Sequence, residues 1–111
     1  MKIYYKIVAL KNNEYYYLFH GINNNKKIPL NTWIKAEIKE NVSDGVGKSY
    51  TSGIHVIDGY ENALNYVKRF KRNDRVIIKC YAKNLSHKEK SKEYVYLAEQ
   101  IYINENNRIQ N

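Results

Sequence analysis

Three histidines, one cysteine and a few carboxylates are the residues of this chain that could do chemistry. His20 closes an aromatic run and precedes Gly21, which sets its imidazole where a loop leaves a sheet. There it could hydrogen-bond a sugar hydroxyl or act as a base, or simply stand half-exposed at a strand end. His55 lies in the apolar run 53–57, on the face opposite its isoleucine neighbours. It reads either as a pocket-lining donor or as a neutral, hydrogen-bonded sheet histidine. His87 sits among lysines and reads as solvated surface. None of these is spaced as HxH or HxxxH, which argues against a metal site. Cys80 falls in the middle of an apolar strand, a setting that raises a thiol's pKa and leaves it inert. Glu93 heads a strand, where it could face a cleft or stand solvated; with Glu89 and Glu99 it makes no assignable acid–base pair. Gly47-Lys48-Ser49 matches the end of a phosphate-binding loop, but Val42 stands where that motif needs its first glycine.

Charge is the strongest global signal. Nineteen Lys and Arg against eleven Asp and Glu give a net charge of +8. Such an excess favours polyanions or an acidic protein surface as partners, although it also serves solubility alone. The cations fall into two groups: Lys68, Arg69, Lys71, Arg72 and Arg75, then Lys83, Lys88, Lys90 and Lys92. Phosphates need such charges, and neighbouring Tyr rings could stack bases. No RNA-recognition consensus, zinc finger or helix-turn-helix motif is present. One cysteine excludes an internal disulfide and a multi-cysteine zinc site, and suits a reducing compartment. The N-terminus does not resemble a signal peptide, and no apolar stretch is long enough to span a membrane. The expectation is a soluble, cytoplasmic protein. Oligomeric state is not legible; exposed edge strands would permit a dimer without requiring one.

The elements that must position these residues are mostly strands. A chain of 111 residues suits one domain with a core of its own. Twelve of its hydrophobic residues are Tyr, whose hydroxyls must reach water or a partner, so a thin core on a twisted sheet is expected. Residues 2–10 alternate as a strand, Lys11-Asn12-Asn13-Glu14 makes a tight turn, and residues 14–20 return. Residues 21–29 read as a polar loop. Residues 30–40, around Trp33, fit a strand better than a helix, entered through a turn at Asn31-Thr32. Residues 41–52 read as a Gly/Ser-rich loop and 53–57 as a short apolar strand. Asp58 and Glu61 have capping-box spacing, which predicts a helix over 60–72 burying Ala63, Leu64, Val67 and Phe70. A buried strand over 75–82, a charged loop over 83–92 and a long strand over 93–103 follow. Glu99 breaks the apolar row of that last strand, which predicts a bulge or register change near Ala98. Residues 104–111 read as a flexible tail. The fold class expected is α+β over 1–103, a curved, mainly antiparallel sheet with one principal helix.

Two resemblances add to this reading. The hairpin ending in YLF, then IPLNTWIKAE, SGIHV, VIIKC and YLAEQIYI, is similar to a family of small phage-encoded proteins. That resemblance marks Trp33, Glu37, Gly53 and His55 and implies a phage or mobile-element origin. A second set of residues resembles the ADP-ribosyltransferases, the poly-ADP-ribose polymerase group in particular. Phe19-His20-Gly21 looks like that family's early His-Gly strand. Gly53-Ile54-His55, Asp58 and Asn65-Tyr66 look like its next strand and helix, and Glu93-Tyr94 with Gln100-Ile101 like its closing strand. The resemblance implies an ADP-ribosyltransferase-like fold and NAD as cofactor. His20 would then hold the NAD ribose, Tyr66 would stack on nicotinamide, and Glu93 would stabilise the oxocarbenium-like state. His55 stands where the family has a Tyr.

The function expected is that of a phage-type accessory protein in the bacterial cytoplasm. It would bind or inhibit a host or defence-system protein or nucleoprotein through Lys68, Arg69, Lys71, Arg72 and Arg75, with no cofactor. One alternative is an NAD-dependent ADP-ribosyltransferase acting on a host target through His20, His55 and Glu93, with Tyr66 on the cofactor. Another is a structural or virion-associated protein.

Overall fold

Two asparagines turn the chain at its first corner. Asn12 and Asn13 have φ of 52° and 62°, the left-handed pair that a two-residue hairpin needs. They join strand β1 (Ile3–Lys11) to β2 (Glu14–Tyr16), with Ala9 opposite Tyr16 and Lys11 opposite Glu14. The computed structural model describes residues 2–18, 27–36, 42–43, 49–50, 53–70, 73–88 and 91–105. Its further elements are β3 (Trp33–Lys35), β4 (Val42–Ser43), β5 (Ser49–Tyr50), β6 (Ile54–Ile57), helix α1 (Tyr60–Val67), β7 (Arg75–His87) and β8 (Val95–Tyr102). The result is the expected α+β architecture, a curved antiparallel sheet of six strands with one helix. A separate two-stranded piece, β4–β5, lies within the stretch expected as a loop.

The curvature is strong enough that four strands close on themselves. β1 pairs with β7 from Ile3 to Ala9, β7 with β8, β8 with β6, and β6 returns to β1 through a single registered pair, Tyr5 with Ile57. The 13-residue β7 makes this possible, because its first half serves β1 and its second half β8. Tyr81 belongs to both ladders, opposite Ile3 and Tyr102. β3 extends the edge of β8 beyond β6.

Alternation along these strands sorts the apolar residues into two cores. Tyr4, Val8, Ile54, Val56, Ile78, Cys80, Ala98 and Ile101 fill the inside of the curl. Ile7, Ile57, Ile77 and Val95 form an outer patch covered by α1 through Ala63, with Leu64 and Val67 beside it. Each such Ile, fully buried, contributes roughly 1.5–3 kcal/mol.

Several expectations need correction. α1 ends at Val67, short of residue 72, because Arg69 and Phe70 donate to carbonyls only three residues back and tighten the chain into a turn. Asp58 does not cap it; the cap position is Gly59, at φ 93°, with no side-chain cap bond. The Asp58 carboxylate instead takes the Lys2 ammonium at 2.8 Å, and its backbone carbonyl accepts from Asn62 Nδ2 at 2.9 Å. The loop expected over 83–92 is strand as far as His87, because it ladders with β8 from Lys83 opposite Gln100 to His87 opposite Tyr96, with Leu85 packed inward. β2 and β3 are shorter than their expected spans; residues 19–26 and 37–41 lie outside the described residues. Of the tail, 106–111 lies outside them too, while the Glu105 N–H donates to Asn31 Oδ1 at 3.1 Å.

Neither the bulge nor the register change expected near Ala98 is present; β8 instead changes which of its faces is buried. Tyr96 and Ala98 face the inner core, and so do Ile101 and Ile103, so β8 changes face at Glu99–Gln100. β7 does the same between Ala82 and Leu85, at Asn84, whose φ is 56°. Register is unbroken on either side, with Lys83 opposite Gln100 and Leu85 opposite Ala98. Asn84 Nδ2 donates to Glu99 Oε2 at 3.1 Å across the change. The switch sends Ile101 inward and turns Gln100 and Tyr102 outward.

Candidate functional site

The residues turned outward by that switch form an array across three strands. Trp33, Tyr102 and Tyr81 stand in one row over β3, β8 and β7, each directly opposite the next. Lys35, Gln100 and Lys83 form the adjacent row. Because successive residues of a strand point to opposite faces, both rows lie opposite the inward row Ile34, Ile101 and Ala82. Ring centroids are 5.5 Å apart for Trp33–Tyr102 and 6.4 Å for Tyr81–Tyr102. Lys83 reaches across β8 to set its Nζ 3.9 Å from the centre of a Trp33 ring. Lys35 and Lys83 are exposed, and the three rings are half-buried. Beside Tyr81, Ile3 is 39% exposed, and Tyr5 meets Tyr60 at 5.7 Å. The six positions carry aromatic faces, two ammonium groups and an amide, with no carboxylate among them. Such a surface can stack a planar ring and neutralise a phosphate next to it.

The sequence reading placed its binding surface elsewhere, at the end of the helix. Lys68 and Arg69 are exposed there, with the Arg69 guanidinium 5.2 Å from the Tyr66 ring centre. Arg75 is committed internally: its side chain is 14% exposed, bonds Asp74 Oδ1 at 2.9 Å and lies over Phe70. Lys71 and Arg72 lie outside the described residues. The outer-face array was signalled by a period-two recurrence of aromatic and basic residues at 33/35 and 81/83, with 100/102 between them. The second of those pairs straddles the border assumed between strand and charged loop.

The residues expected to act as a catalytic group divide between two places. His55 and Tyr66 line one cleft, under α1, together with Lys6, Tyr17 and Phe70. Glu93 lines a separate, open groove with Asp58, Asn62 and His87. His20 and Glu37 lie outside the described residues, as do Gly47 and Lys48. Burial, then the Lys88 and Lys6 charges, push His55 down to about 4, so its ring is neutral near pH 7. Burial pushes the Cys80 thiol up to about 12, as expected of an inert strand cysteine. Lys6 was not singled out from sequence. Its side chain is buried, its Nζ donates to the His55 carbonyl at 2.9 Å, and burial lowers it to about 8.

Among the described residues no group of three His, Cys, Asp or Glu is placed to hold a metal ion. No helix there is long and apolar enough to cross a membrane. No protein-family model, curated protein or solved structure matches the chain.

Proposed function

We propose that this chain is a small accessory protein of phage or mobile-element type, acting in the bacterial cytoplasm as a non-enzymatic binder. Its partner is a host or defence-system nucleoprotein, held through single-stranded nucleic acid laid on the outer face of β3, β8 and β7. The observation that carries this reading is the Trp33–Tyr102–Tyr81 row with Lys83 over the indole and Lys35 beside it. The net charge of +8 supports it by favouring a polyanion. In the free protein Lys83 covers Trp33. A phosphate competes for that ammonium and uncovers the indole face for a base. An exposed cation–π contact is worth only about 0.5–1 kcal/mol, so the exchange costs little.

Anisotropy of a fluorescently labelled single-stranded oligonucleotide tests this. A stacked base is worth about 1–3 kcal/mol, so Trp33→Ala weakens binding about fivefold or more. Lys83→Ala weakens it and lowers the salt slope by about 0.7, the share of one single-strand phosphate contact. Undiminished binding in both variants would remove the outer face from the account.

One observation favours a second reading. His55 and Tyr66 share a cleft, as the resemblance to ADP-ribosyltransferases requires. In that reading NAD is the cofactor and Glu93 must reach the same reaction centre, whereas Glu93 lines the other groove. NAD consumption abolished by Glu93→Gln would support it.

A further inference from the structure

The seam between β1 and β6 holds one registered pair, Tyr5 with Ile57. Continued by two residues, that register would set Ile7 opposite His55. Instead Lys6 Nζ donates to the His55 carbonyl at 2.9 Å, so a side chain stands where a ladder bond would run. A cleft of about 70 Å³ opens beside it, lined by Ile57, Tyr17, Tyr66 and Phe70 among others. Lys6 is 8% exposed, and no Asp or Glu lines this cleft among the described residues. Among the described residues its ammonium thus has a carbonyl acceptor and the Tyr17 ring, 5.7 Å away, and no counter-charge.

A buried cation without an anion is costly, several kcal/mol even after relaxation. Among the described residues, the titratable and charged groups around it are Cys80 of β7, His55 of β6, Tyr17 beyond β2, Tyr66 of α1 and Lys88 beyond β7. Burial raises both Cys80 and Tyr17, so neither supplies negative charge near neutrality. His55 is neutral there, and Lys88 is a further cation. An ammonium has three donors, and among the described residues the His55 carbonyl takes one, which leaves two for a ligand.

We propose that this cleft binds a small aliphatic monocarboxylate, with the carboxylate on Lys6 Nζ and the apolar end against Ile57, Tyr66 and Phe70. Size sets the chain length. A closed apolar cavity of about 150 Å³ holds the six heavy atoms of benzene, and this cleft is about half that, which suits a ligand of acetate size. The cleft lies on the helix-covered part of the sheet, so the inference stands independently of the nucleic-acid face.

The test is a pH titration of the full chain carrying lysines labelled with ¹³C at Cε, followed by NMR, with sodium acetate, ethanol or sodium chloride added. Bound acetate favours the charged amine. The Lys6 midpoint therefore moves up from about 8 by about one unit or more with acetate, and stays in place with the alcohol or with chloride. Acetate binds about tenfold tighter than ethanol, the scale of a hydrogen bond to a charged group, and Lys6→Met removes that difference. An unmoved Lys6 resonance overturns the proposal, as do equal affinities for acetate and ethanol or an equal response to chloride. The midpoint is read on the unaltered chain, so it holds even if Lys6→Met fails to fold.

Discussion

His55 and Lys6 sit side by side at the seam of the sheet, and burial drives both toward the neutral form. For His55 the folded value of about 4 lies below the ordinary 6.5. Between those two pH values the unfolded chain holds a proton that the folded chain does not. Stability is therefore intact above about 6.5 and is lost as pH falls through the window, by about 3 kcal/mol at most. The melting temperature should fall between pH 6.5 and 4, and His55→Gln should flatten that fall. An identical pH profile in the variant would show that another group controls it. A neutral histidine was one of the two readings that its place in an apolar run left open, the other being a pocket-lining donor. Lys6 was legible only in part: it alternates with Tyr4 and Val8, an inward position, but sequence does not show whether such a lysine stays buried or reaches water.

At the scale of elements, local rules failed where a residue found a distant partner. Asp58 and Glu61 have the spacing of a capping box, yet Asp58 pairs with Lys2, an interaction 56 residues away that spacing cannot reveal. The helix start rests on Gly59 instead. Its φ of 93° suits glycine, and an added Cβ would come within 3.1 Å of Asn62 Nδ2. Gly59→Ala should cost about 1–2 kcal/mol, read as a lower denaturant midpoint with unchanged m-value. A variant as stable as the parent would contradict that backbone. The same limit explains the border misread in β7. Alternation is the signal for a strand, and Asn84 interrupts it by changing which face is buried, so the residues beyond it looked like solvated loop. The hairpin at Asn12–Asn13 was legible because its turn chemistry is local and its partner strands adjoin.

At the scale of the molecule, strand-rich alternation with a single amphipathic helix made the α+β class readable before the closure of β1, β7, β8 and β6 was. Closure depends on β7 coiling between two partners, which no local pattern encodes. The proposed binding face depends on it in turn, since Trp33, Tyr102 and Tyr81 come from strands far apart in the chain. The net charge pointed to a polyanion, and only the sheet shows where rings and ammonium groups meet. Trp33 is the only tryptophan of the chain, so its emission reports on the proposed contact directly. The decisive measurement is a titration of that emission with a single-stranded oligonucleotide and, separately, with inorganic polyphosphate. The account predicts saturable, salt-sensitive quenching by the oligonucleotide, weakened in Lys83→Ala, and far less quenching by the base-free polymer. Oligonucleotide binding that leaves Trp33 emission unchanged would contradict it, as would equal quenching by polyphosphate.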